Sequence, residues 1–141
     1  MKKLLFVAIA FAGLTLVSCN KDQAAVKKLD GTWNVTSMKS DGTELISSDF
    51  KVSMTFNACK LKKDEWCTGS STVTFAGQTS TASSVYRVTG DGTTLESKEH
   101  KDSTDVSSMT INELSKTNMK ATQTDEFGGQ TYTTVIEAEK Q

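Results

Sequence analysis

Phe50-Lys51-Val52-Ser53-Met54-Thr55-Phe56 sets an apolar side chain at every second position, the period of a strand with one face in a core and the other in water. The same period returns at Val73 and Phe75, at Tyr86 and Val88 around Arg87, at Met109 and Ile111 around Thr110, and at Tyr132, Thr134 and Ile136. Threonine and serine take the alternate positions, and β-branched threonine suits the outward face of a sheet. Asp41-Gly42, Ala76-Gly77, Gly90-Asp91-Gly92 and Gly128-Gly129 supply turn signals between the runs, and the chain holds no proline. Strands are therefore predicted near residues 31–39, 50–57, 71–76, 84–90, 93–98, 107–114, 118–126 and 130–139. Beyond the N-terminal region only Asp22 to Leu29, with Ala24, Ala25, Val26 and Leu29, reads as helix, one to two turns long. Consecutive short antiparallel strands remove their exposed edges by closing on themselves. The expected fold is all-β, an antiparallel up-and-down barrel of eight strands with a short N-terminal helix.

The first residues follow different rules. Lys2 and Lys3 give a positive start, and Leu4 to Leu16 is an apolar run too short for the roughly 20 residues of a spanning helix. Leu16-Val17-Ser18-Cys19 closes it with a small residue before a cysteine. This resembles the lipobox of bacterial lipoprotein precursors, which implies a signal peptide over 1–18, cleavage before Cys19, and lipidation of its sulfur with diacylglycerol and acyl chains such as palmitate. The alternatives are an ordinary secretory signal with a chance cysteine and a short membrane anchor. Residues 19–29 then form a lipidated tether and short helix, and 30–141 the barrel. Asn20, rather than aspartate, after the lipidated cysteine implies, by resemblance to lipoprotein sorting signals, an outer-membrane lipoprotein of the cell envelope, on its periplasmic or surface face.

Without Lys2 and Lys3 the chain has 14 basic residues against 17 acidic ones and no basic patch. Nucleic acid is not an expected partner, and the lipid is the expected link to the membrane. Cys59 and Cys67 are an even pair in an exported, disulfide-permissive setting and are expected to bond to each other. A metal site would need more ligands than two sulfurs, and the only histidine, His100, lies far along the chain, so no metal or other cofactor is expected. His100 sits among Glu99, Lys101 and Asp102 in a polar connection that reads as a solvated loop, and a catalytic triad would need a nucleophile brought near it, with Cys59 and Cys67 expected to be oxidised. Asp64-Glu65 and Asp125-Glu126 are adjacent pairs with nothing apolar beside them to raise a pKa. This reading names no catalytic residues, and an enzyme is not expected.

Leu29-Asp30-Gly31-Thr32-Trp33-Asn34-Val35 resembles the Gly-X-Trp entry to the first strand of lipocalins, and above all the lipocalin-like domain of small bacterial lipoproteins. Met109-Thr110-Ile111-Asn112-Glu113-Leu114-Ser115-Lys116-Thr117-Asn118-Met119 is similar to that family's strand end, tight polar turn and restart on an apolar residue. Animal lipocalins also stack a late arginine on the tryptophan; the sole arginine here, Arg87, is mid-chain, which leaves Lys140 as the substitute. Trp33 is expected to be structural, an indole closing the barrel floor beside the helix and burying on the order of 200 Å². Trp66, beside Cys67 in a polar loop, is either a lid on the core or an anchor for a partner.

Barrels of this size are either filled by their own side chains or hold one small ligand. The inward set of Trp33, Val35, Val52, Val88, Leu95, Ile111, Met119 and Ile136, with Met54, Phe56, Val73, Phe75, Tyr86, Met109 and Tyr132, permits both. In the carrier reading, Met54, Phe56, Phe75, Tyr86, Met109 and Tyr132 line an apolar pocket for a small hydrophobic or amphiphilic ligand, gated by Ser40 to Asp49 where lipocalins carry a lid loop. In the other, a filled barrel is an interaction module or inhibitor contacting another envelope or secreted protein. The lipobox reading has a direct test: Cys19→Ala should abolish acyl labelling in cells fed an alkyne fatty acid and should release the protein from membranes with its barrel intact. Unchanged labelling would refute it.

Overall fold

The structure is a computed structural model and describes residues 21–62 and 65–141; Cys19 and the signal segment lie outside them. Helix α1 (residues 21–29) precedes nine strands: β1 (Gly31–Ser40), β2 (Thr43–Glu44), β3 (Phe50–Phe56), β4 (Cys67–Phe75), β5 (Gln78–Thr89), β6 (Thr94–Lys98), β7 (Ser107–Leu114), β8 (Asn118–Phe127) and β9 (Gln130–Lys140). All pairings are antiparallel between sequence neighbours, save that β1 pairs with β3 across the two-residue β2 and with β9, which closes an eight-stranded barrel. Among the described residues no helix is long and apolar enough to cross a membrane.

Turns and sequence periodicity explain the closure. Asp41-Gly42, Ala76-Gly77 and Gly128-Gly129 each have positive φ at both residues, the geometry whose twist matches that of flanking antiparallel strands. Gly69 is needed for a different reason: a Cβ there would stand 2.9 Å from the Thr55 carbonyl oxygen on the neighbouring strand. β4 and β5 begin earlier than the apolar period predicts, at Cys67 and Gln78. Those added stretches are nearly all Ser, Thr, Gly and Ala, so they carry no hydrophobic alternation. Cross-strand hydroxyl pairs, Thr72 with Thr81 at 2.9 Å and Thr74 with Thr79 at 3.0 Å, supplement their ladder. Bulges interrupt β1 between Val35 and Ser37 and β7 between Ile111 and Glu113. Each shifts the register by one residue, so Met38 and Leu114 turn inward and pack against the core.

The core occupies one end of the barrel, where α1 acts as a plug. Val26 and Leu29 of the helix and Trp33 of β1 are fully buried. The Trp33 indole N–H donates to the Leu29 carbonyl at 2.6 Å, and the Lys140 ammonium lies 5.1 Å above the ring centre while donating to the Lys28 carbonyl at 2.9 Å. Tyr86 stacks edge-on against Phe56 at 5.0 Å and donates to the Asn57 carbonyl at 3.1 Å. Its hydroxyl titrates well above the ordinary range, first because it is buried and second because Asp30 lies near.

Cys59 and Cys67 are disulfide-bonded, with Cα atoms 5.4 Å apart. The bridge ties the buried start of β4 to a loop that Gln23 of the helix also holds, donating to the Cys59 carbonyl and accepting from the Leu61 amide, both at 2.8 Å. Because the barrel has this second attachment, it should stay folded on reduction. Loss of the small loop closure should cost about 2.5 kcal/mol, a fall in Tm of about 10 °C by calorimetry with and without reductant. Free thiols at both positions in protein alkylated straight from its source would contradict the pairing.

Candidate functional site

The other end of the barrel is built differently. Paired residues in an antiparallel sheet share a face, so the ladder can be followed inward from strand to strand. From Trp33 it runs through Met54 and Ser71 to Ala82, and from Phe56 through Gly69 to Ser84. Tyr86 pairs with Ser97 of β6, and Ser97 with Ser107 of β7. At mid-height, Ser71, Ala82, Ser84, Ser97 and Ser107 thus bring hydroxyls or a methyl to the inward face of four adjacent strands.

These residues leave a cavity of about 550 Å³, open to solvent and lined by Ser71, Ala82, Ser84, Ser97, Ser107 and Asp125, with Ser83, Lys98, Glu99, Ser103, Asp105 and Val106 at its side. It lies where the wall is incomplete. β5 pairs with β6 only from Val85 onward, and β8 pairs with β7 only as far as Gln123. The β4–β5 and β8–β9 hairpins therefore rise above the shorter β6–β7 hairpin, and residues 99–106 border the gap. Gln123 lies along this wall, its amide N–H groups donating to Ser107 on the adjoining strand at 3.2 Å and to both carboxylate oxygens of Asp125, two residues along its own strand, at 3.1 and 2.9 Å.

The six residues expected to line an apolar pocket are dispersed. Phe56 and Tyr86 belong to the packed core. Met54 and Met109 pack partly buried against it, Met54 paired with the cavity residue Ser71. Phe75 and Tyr132 stand at the rim, 63% and 37% exposed. The lining that the structure does show was missed because serine carries no hydrophobic signal; the readable sign was an inward period continued by small polar residues. Trp33 is fully buried beside α1, with its indole N–H on the Leu29 carbonyl. Trp66 lies against the outer wall, with the Arg87 guanidinium 4.5 Å and the Lys98 ammonium 4.4 Å from its ring centre. Arg87 in turn forms an ion pair with Glu96. Among the described residues no group of three His, Cys, Asp or Glu is placed to hold a metal ion.

The stretch expected to gate the barrel, Ser40 to Asp49, contributes no residue to the cavity lining. It is instead pinned at its root by Glu44, whose carboxylate accepts from the Ser37 hydroxyl at 2.6 Å and from the Met38 and Ile46 amides at 2.8 and 3.0 Å.

No family model matches the sequence, and no curated protein matches it either. Solved structures do match. Bovine odorant-binding protein in complex with a selenium-containing odorant superposes with a TM-score of 0.54 at 16% identity, covering 82% of this chain and 72% of that one. Aphrodisin, a sex pheromone from female hamster, gives 0.54 at 18% identity over 80% and 75%, and a redesigned β-barrel gives 0.51 at 16% over 83% and 95%. The likeness is one of fold: a closed, eight-stranded antiparallel barrel with, among the described residues, one short helix.

Glu44 makes the pinned loop testable. The Ser37 hydroxyl first, then the Met38 and Ile46 amides, lower its pKa from 4.5 to about 2. A carboxylate with a depressed folded-state pKa contributes its stabilisation above the unfolded value and loses it as pH falls through the folded one. The Met38 and Ile46 amide resonances should therefore titrate together with a midpoint at about pH 2. They should not do so in Glu44→Ala. A midpoint at the ordinary glutamate value would show that the three hydrogen bonds do not hold in solution.

Proposed function

We propose that this protein is a lipid-anchored envelope protein whose barrel binds a small amphiphilic molecule. The cavity of about 550 Å³ carries the reading. Its volume falls within the range of about 300–1,000 Å³ typical of small-molecule sites. A barrel filled by its own side chains needs bulk at the inward positions, and here Ser71, Ala82, Ser84, Ser97 and Ser107 supply almost none. The sequence reading allowed a wholly apolar guest, but a hydroxyl lining favours one with a polar part. Barrels of this fold have been solved with a selenium-containing odorant and with undecanal bound, which supports use of the interior for small guests.

The anchor fits this arrangement. α1 begins two residues after Cys19 and plugs the closed end, so a lipid on Cys19 would tether that end and leave the cavity facing away from the bilayer. One observation favours a second reading, an interaction module. Residues 78–84 of β5 form no ladder on the side facing the gap, and Gln-Thr-Ser-Thr-Ala-Ser-Ser carries no charge or proline to repel an added strand.

Native mass spectrometry of the protein taken from its own envelope should show a small molecule travelling with it. Ser84→Phe should remove that mass while leaving thermal stability within about 1 kcal/mol, because the ring enters open space. If the interior is packed in solution, the same change overfills it and costs about 1–3 kcal/mol. That result, with no co-purifying mass in the unaltered protein, would favour the interaction module.

A further inference from the structure

Polarity in this barrel runs opposite to what an oil-binding cup requires. The cavity wall sets hydroxyls and carboxylates among small aliphatic groups such as Ala82 and Val106, while large apolar side chains stand at the mouth: Phe75 is 63% exposed, Phe127 79% and Tyr132 37%. Register ties the two zones together. Phe75 lies four residues beyond Ser71 on the same face of β4, roughly 13 Å along the strand. Phe127 is two residues beyond Asp125 on β8, and Tyr132 of β9 pairs directly with Asp125. The apolar residues at the mouth therefore continue the inward face of the cavity.

The lining also has a sign. Glu99, Asp105 and Asp125 place three carboxylates on it against one basic residue, Lys98. The Lys98 ammonium is engaged elsewhere, on the Trp66 ring at 4.4 Å and with the Lys101 and Ser103 carbonyls of the bordering loop. An anionic head group entering this space meets like charge, whereas a protonated amine meets carboxylates and hydroxyl oxygens able to accept its hydrogen bonds.

We propose that the ligand is a cationic amphiphile bound head first, its amine among Ser71, Ser84, Ser97, Ser107 and Asp125 and its apolar tail at the mouth against Phe75 and Phe127. This rests on reading the cavity as a ligand site and adds the class and orientation of the guest. The depth fits: a head at Ser71 and a tail reaching Phe75 correspond to an apolar chain of several carbons.

Octylamine, octanol and octanoate share a tail and differ in head charge, so calorimetric titration of the full-length protein with each separates the terms. Octylamine should bind at least about tenfold more tightly than octanoate, with octanol between them. Asp125→Asn should reduce that preference severalfold and leave octanol unchanged. Phe127→Ser, at a side chain that packs little, should weaken octylamine severalfold and leave ethylamine, which lacks the tail, unaffected. Octanoate binding as tightly as octylamine, or octylamine binding indifferent to both variants, would overturn the proposal while leaving a ligand-binding barrel. No binding by any of the three, together with no co-purifying mass, would remove the ligand site itself.

Discussion

The Trp33 indole is where the separate parts of this molecule meet. Its N–H is spent on the last carbonyl of α1, its face lies under the Lys140 ammonium, and its strand pairs with both β3 and β9. A buried indole with an unmet N–H would cost on the order of 1–3 kcal/mol, so the end of α1 must sit where that donor points. Lys140, from the last strand, also caps Lys28 of the same helix end. The first and last strands and the plug are thus fixed by one side chain, and the barrel is closed where the seam would otherwise be weakest.

With that end packed, the other is free to be unfilled. Val26, Leu29, Trp33, Tyr86 and Cys67 bury their side chains almost completely on one side of the molecule. Hydrophobic burial is roughly proportional to area removed from water, so concentrating the large residues at the plug lets the rest of the barrel stand on its hydrogen-bonded ladders and turns. β4 and β5 show the consequence: their extended arms are held by a continuous nine-pair register and by threonine pairs, with Phe75 meeting Phe50 only at the rim. A cavity there costs little stability because there is little packing to lose.

The sequence carried the barrel clearly. Strict alternation at Phe50 to Phe56, the paired-glycine turns and the short apolar helix before Gly31-Thr32-Trp33 each reported a local constraint, and each appears in place. What it did not carry follows from the same physics. Period-two reading assumes a regular pleat, and the bulges at Val35/Ser37 and Ile111/Glu113 break it, so the inward set drawn from the sequence lacks Met38 and Leu114, which pack against the core. A strand whose inward residues are serine and alanine has no amphipathic signal, so the first halves of β4 and β5 read as connection. The candidate lining was drawn from aromatic and methionine side chains on the inward parity. Parity is a statement about face; it says nothing of depth, which is why Phe75 and Tyr132 are on the right face and at the rim.

Depth is instead set by hairpin length, and hairpin length also explains why the cavity is bordered by residues 99–106 rather than by Ser40 to Asp49. β2 and the three hydrogen bonds to Glu44 fold the early loop back onto the end of β1, where Ile46 joins the core. The later loop follows the short β6 and has no sheet to join. It is held by Lys98, which reaches the Lys101 and Ser103 carbonyls from a position against Trp66, itself next to the Cys67 disulfide. A covalent bond near the plug therefore braces, through one aromatic ring and one ammonium, the segment beside the opening. Trp66 stands on the outer wall between the Arg87 guanidinium and the Lys98 ammonium, contacts that give a tryptophan a place in so polar a stretch.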